Sequence, residues 1–69
     1  MIIAMSDIGS KIKKIREGDG LSQREFAKIL KVKQSVISQY ENNTRRPSFE
    51  VLVLIARHFE VSTDYLLGV

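Results

Sequence analysis

Cysteine is absent, histidine and proline occur once each, and only four glycines are scattered through the 69 residues. Without cysteine the chain has neither disulfide staples nor a Cys-based zinc site, and it suits a reducing compartment. The glycines form no phosphate-cradling loop, and neither metal-ligand spacing nor a paired-carboxylate motif occurs. His58 stands alone in a late apolar stretch and reads as a structural side chain rather than an acid–base catalyst. No run approaches the roughly 20 apolar residues of a membrane-spanning helix. Met1 to Met5 is too short for a signal-peptide core, with no basic segment before it and no cleavage site after it. These absences argue against an enzyme, a cofactor, a metal, a small-molecule ligand or a membrane partner, and the cytoplasm is the expected location.

What remains is an ordinary soluble composition, 43% hydrophobic and 28% charged. A chain this short makes one domain and buries only about 60% of the surface its unfolded form exposes. Association into a dimer is therefore an expected source of extra stability. Net charge is +3 and the sequence pI is near 9.5, which favours a polyanionic partner. The distribution of charge is more informative than its sum. Residues 1–23 hold four basic and three acidic side chains, residues 24–46 six and two, and residues 47–69 one and three. The positive surplus is concentrated in the middle of the chain.

That middle, Ser22 to Glu41, reads as two short amphipathic helices joined by a bend at Leu30 to Lys33. Ser22 is the N-cap of the first, Glu25 completes a capping box, and Leu21 precedes the cap to pack on Phe26 as a hydrophobic staple. Phe26, Ala27, Ile29 and Leu30 then share one side, opposite Arg24, Glu25 and Lys28. In the second helix, Gln34 to Glu41, Val36, Ile37 and Tyr40 fall within an arc of roughly 100°, and Gln34, Ser35, Ser38 and Gln39 occupy the opposite side. That outer face carries no charge, whereas a solvated helix surface ordinarily carries Lys, Glu and Arg. Amides and hydroxyls suit the reading of base edges: glutamine can give adenine a donor and an acceptor together, and serine can bond to several bases.

Around this unit the chain reads as helix throughout. Met1 to Met5 is either an extension upstream of a start at Met5 or an apolar arm. Ser6 or Asp7 caps a first helix in which Ile8, Ile12 and Ile15 recur at helical spacing among Lys11, Lys13, Lys14 and Arg16, a basic surface expected to be solvated. Gly18-Asp19-Gly20 ends it. After Glu41, Asn42 and Asn43 tolerate left-handed backbone, Arg45 and Arg46 can reach phosphates, and Pro47 stops the preceding helix. A fourth helix, capped by Ser48 and ending near Phe59, is apolar beyond one face and is expected to be the buried centre of the domain. Ser62 caps a short fifth helix, with Asp64 near its positive end, that closes with Tyr65, Leu66, Leu67 and Gly68. No linker, repeat or low-complexity segment interrupts this all-α order of five helices.

The stretches Leu21 to Ala27, Val36 to Asn43, Arg46-Pro47-Ser48 and Val61 to Gly68 together resemble the Cro and phage-repressor type helix-turn-helix family, the xenobiotic-response-element-like transcriptional regulators. The likeness runs from about Ile8 to Gly68. It implies a compact five-helix lambda-repressor-like DNA-binding domain whose third helix enters the major groove of double-stranded DNA, with two copies on a pseudo-palindrome. By position, Gln34, Ser35 and Gln39 resemble base-reading residues, assisted by Ser38. Gln23 resembles a residue that bonds a phosphate and braces the first reading glutamine, and Asn43, Arg45 and Arg46 resemble backbone contacts. Tyr65, Leu66 and Leu67, with Phe59 nearby, offer more apolar surface than so short a closing helix needs; the family often forms its two-fold contact at this end, here Phe59, Tyr65 and Leu66, and a place in the core is the alternative. A repressor acting as a homodimer is the expectation, with an antitoxin-like or regulatory protein-interaction module as the alternative.

Two residues depart from that pattern. Lys31 holds the turn position where glycine is usual, so either a lysine takes positive φ or the turn is built differently. Lys33 stands where serine or threonine normally caps the third helix, and lysine can neither accept its orphan N–H bonds nor suit the positive end of its dipole. Both are expected to trade stability for attraction to phosphate.

Overall fold

Helix α2 (Gln23–Leu30) begins as its local chemistry requires. The Ser22 hydroxyl accepts from the Glu25 amide at 3.1 Å, and the Glu25 carboxylate accepts from the Ser22 amide at 2.8 Å. Both bonds of the capping box are therefore made, satisfying two donors that a helix start would otherwise orphan. The computed structural model describes residues 8–67, and the remaining helices there are α1 (Ile8–Gly18), α3 (Gln34–Glu41), α4 (Phe49–Phe59) and α5 (Thr63–Leu67). No strand occurs among the described residues, and none of their helices is long and apolar enough to cross a membrane. The expected first cap at Ser6 or Asp7, the segment Met1 to Met5 and the closing Gly68 lie outside the described residues.

One apolar cluster joins all five helices: Ile8 and Ile12 from α1, Phe26, Ala27 and Leu30 from α2, Ile37 and Tyr40 from α3, Val51, Leu52 and Ile55 from α4, and Leu66 from α5. Each helix contributes one face, as the spacing of apolar residues in α1 to α3 predicts. The serine caps of α4 and α5 also form, with Ser48 Oγ accepting from Val51 N–H at 3.2 Å and Ser62 Oγ from Tyr65 N–H at 2.9 Å.

Two expectations change. Helix α4 is not a buried centre: Phe49 is 76% exposed and Leu54 38%, so its apolar residues exceed what the core takes. Leu66, expected at a two-fold contact, is wholly buried in the core of its own chain and has no surface to offer a partner. Phe59 is half-buried, its ring 5.3 Å from that of Phe26, whereas Tyr65 is 45% exposed beneath the Lys11 ammonium.

Helix α1 and the end of α3 are locked together by contacts that apolar periodicity does not reveal. Arg16 lays its guanidinium on Glu41, with Nε to Oε2 at 2.6 Å and Nη2 to Oε1 at 3.2 Å, and its Nη1 donates to the Leu21 carbonyl at 2.9 Å. Their side chains are only 11% and 4% exposed. The hydrogen bond to Glu41 raises the arginine pKa, burial opposing it. Arg16 is thus an internal brace and not part of the solvated basic surface. Nearby, Gly9 donates its N–H to Asn43 Oδ1 at 3.0 Å and lies so close to the carbonyls of Tyr40 and Glu41 that a methyl group would collide with them. Close approach of the two backbones accounts for a glycine in the first turn of α1.

Candidate nucleic-acid interface

The bend between α2 and α3 takes the costlier of its two expected forms. Lys31 adopts φ 61° and ψ 41°, left-handed backbone, and Val32 N–H closes on the Ala27 carbonyl at 3.0 Å. Tying off the end of α2 this way suits glycine, and a side chain there adds roughly 1–2 kcal/mol of steric cost. Two residues on, Lys33 caps α3 in extended backbone and makes no side-chain cap bond. Both lysines are exposed, and the two ion pairs among the described residues involve Arg16 instead.

Ile37 and Tyr40 anchor α3 in the core, Val36 is half-buried, and Gln34, Ser35 and Gln39 face solvent with Ser38 at the margin. The division expected from the sequence is therefore the division found: apolar and phenolic groups inward, amides and hydroxyls outward. Burial lifts the Tyr40 phenol above its ordinary pKa, and the charge of Arg45 opposes the rise. Beside α3 runs a groove of about 700 Å³ whose lining includes Val32, Val36, Tyr40, Val51 and Leu54 together with Lys31, Lys33, Arg45 and Arg46. The structure thus brings the cations of the bend and those of the loop after α3 to one groove, where Glu50 is the lone carboxylate in the lining.

Two residues are engaged otherwise than expected. Gln23 donates its amide N–H to Glu41 Oε1 at 3.0 Å, so it braces the Arg16–Glu41 pair and not the first reading glutamine. Asn43, at φ 61°, spends its side-chain oxygen on Gly9 and closes the domain. Sequence reasoning missed Arg16, Glu41 and Gly9; of these only Gly9, a glycine early in a helical pattern, carried a signal that could have been weighed.

Comparison with known proteins now decides the family: a helix-turn-helix profile matches residues 12–66, which contain the whole of α2, the bend and α3. The chain belongs to the helix-turn-helix family. The helix-turn-helix transcriptional regulator ImmR of Bacillus subtilis (strain 168) is 36% identical over 61 residues, covering 88% of this chain and 48% of ImmR. Antitoxin PezA of Streptococcus pneumoniae serotype 4 is 38% identical over 61 residues, covering 88% of this chain and 39% of PezA. Antitoxin HipB of Escherichia coli O6:H1 is 31% identical over 61 residues, 88% and 65% of the two chains. This helix-turn-helix chain spans about half or less of the length of the first two relatives. No solved structure matches it. Membership agrees with the expectation that this helix-turn-helix domain is not an enzyme.

Proposed function

We propose that this helix-turn-helix domain is a sequence-specific transcriptional regulator that places α3 in the major groove of double-stranded DNA, and that it represses by occupying a pseudo-palindromic operator as a homodimer. The observation that carries the reading is the uncharged outer face of α3, with Gln34, Ser35 and Gln39 exposed and Ser38 at its margin, flanked by Lys31, Lys33, Arg45 and Arg46. The cations attract and align the phosphate backbone without regard to sequence, and the amides and hydroxyls discriminate among base edges. Gln23 and Asn43, though engaged internally, keep amide hydrogens that can add phosphate contacts. The named regulators among the relatives support the same reading.

Selection of binding sites from random duplex DNA tests it. Gln34→Ala should relax preference at one base pair, costing roughly 1–3 kcal/mol there, and Arg46→Ala should weaken every sequence about equally. A chain that enriches no site would overturn the reading. For the dimer, Tyr65 is the accessible residue: Tyr65→Glu should shift a concentration-dependent dimer to monomer in sedimentation without unfolding it. Leu66→Glu should instead unfold the chain.

A second reading, an antitoxin-like protein-interaction module on the same scaffold, is favoured by the likeness to PezA and HipB. Binding to a partner protein that survives Gln34→Ala, with no preference among DNA sequences, would select it.

A further inference from the structure

We propose that the groove beside α3 and the outer face of α4 form one docking surface for an acidic amphipathic helix of another protein, and that such a helix and DNA exclude each other; the exclusion rests on the DNA-reading role given to α3 above. The apolar residues that α4 carries beyond the needs of the core begin the argument. Phe49 and Val53, and beside them Glu50 and Leu54, stand one turn apart on α4, and together they line a hollow of about 400 Å³. Phe49 is 76% exposed there and Leu54 38%. Glu50 and Leu54 also line the groove of about 700 Å³, so the two depressions meet along α4. The apolar lining thus extends from Val32 and Val36, past Leu54, to Phe49.

Charge decides what covers it. Lys31, Lys33, Arg45 and Arg46 line the groove against one carboxylate, Glu50, and none of the four is in an ion pair among the described residues. A sugar–phosphate backbone can use those cations but presents little apolar surface to Val36, Leu54 or Phe49. A purely apolar partner would cover these residues and strand the cations. A segment that carries carboxylates together with aliphatic or aromatic side chains answers both. No strand among the described residues offers an edge to an extended peptide, so the occupant satisfies its own backbone, as a helix does. Its anchors at i, i+3, i+4 and i+7 enter the groove and the hollow, and its carboxylates meet the cations. Those cations are the ones given to phosphate, so a helix that neutralises them removes the attraction for DNA.

The test uses the whole chain and a labelled synthetic peptide of about 14 residues, with Leu at i, i+3, i+4 and i+7 and Glu on the opposite face. Fluorescence anisotropy should show the peptide binding, and displacing the duplex that the chain enriches from random DNA. Leu54→Ser and Phe49→Ser, both at exposed positions outside the proposed DNA contacts, should each weaken the peptide roughly tenfold and leave affinity for the duplex within about twofold. Lys33→Ala should weaken both ligands. A control peptide with Ser for every Leu and the same charge should bind at least about tenfold more weakly. Equal binding of the two peptides would overturn the docking surface, as would peptide affinity unmoved by Leu54→Ser and Phe49→Ser. Sedimentation in which Phe49→Ser dissociates a dimer would overturn it too, since a second copy would then be the occupant. Peptide and duplex bound at once would overturn the exclusion. Each of these results leaves the DNA-reading role standing; a chain that enriches no site overturns that role and the exclusion with it.

Discussion

At its C-terminal end α3 is held by Glu41 on Arg16 and Gln23, by Asn43 on Gly9, and by Thr44 folded onto the Gln39 carbonyl. At its N-terminal end, eight residues away, Lys31 sits in left-handed backbone and Lys33 leaves the helix without a side-chain cap. One end spends its polar groups inside the protein, and the other leaves charge outside at a cost in stability. The contrast shows how a helix of only two turns can be both firmly placed and available: the exposed end borrows its position from the held one. The starts of α2 and α3 repeat the lesson, since the first is doubly capped and the second is not capped by any side chain.

The largest expected effect breaks the held end. Glu41→Ala removes the carboxylate that takes two hydrogen bonds from the Arg16 guanidinium and leaves only the exposed Glu17, 3.8 Å away, as a counter-charge, which should cost about 3 kcal/mol. That is a large part of the roughly 3–10 kcal/mol available to a domain of this size. Urea unfolding measures it, and a loss below about 1 kcal/mol would mean that apolar packing alone holds the end of α3. Gly9→Ala attacks the same end by sterics and should cost about 1–3 kcal/mol as α1 is pushed off the carbonyls of Tyr40 and Glu41. Stability no lower than that of the original chain would show that α1 can move aside freely.

At the open end the sign reverses. Lys33→Ser supplies the missing cap and should raise stability by about 1 kcal/mol. If Lys33 neutralises a phosphate, the same change should weaken DNA binding and make its salt dependence shallower by about one counterion. Unchanged affinity and slope would separate the cost at the bend from any role in binding.

The smallest effect compares the two helix starts by pH. The Ser22 amide, and then its hydroxyl, hold the Glu25 carboxyl below its ordinary 4.5. A carboxylate lowered on folding contributes its stability above the unfolded value and loses it as pH falls through the folded one. The Ser22 amide shift should therefore follow Glu25 with a midpoint below 4.5, and the first amides of α3, which have no such partner, should not follow it. A common midpoint would erase the distinction.

How much of this was written in the residues depends on the range of the interaction. The helix starts at Ser22, Ser48 and Ser62, the apolar sides of α2 and α3 and the outward amides of Gln34 and Gln39 are decided by neighbours within a turn or two, and their patterns were legible. The costs at Lys31 and Lys33 were legible for the same reason. What escaped was decided across long stretches of chain. Arg16 looked like one of several surface cations because its partner lies 25 residues away, and Gly9 looked indifferent until Asn43, 34 residues on, closed against it. The surplus apolar residues of α4 and the burial of Leu66 were misjudged because periodicity tells which residues share a face, not whether a neighbouring helix will cover it.

The close seat of Gly9 also bears on how the protein presents its field. There the electropositive start of α1 abuts the carbonyl-bearing finish of α3, so these two peptide dipoles meet head to tail and partly cancel where they touch. The pole left unbalanced is the other end of α3, where Lys33 already adds its charge. Under the DNA-reading role proposed above, a polyanion would meet α3 as a pointed electrode and not as a bar, drawn to the tip that carries Gln34.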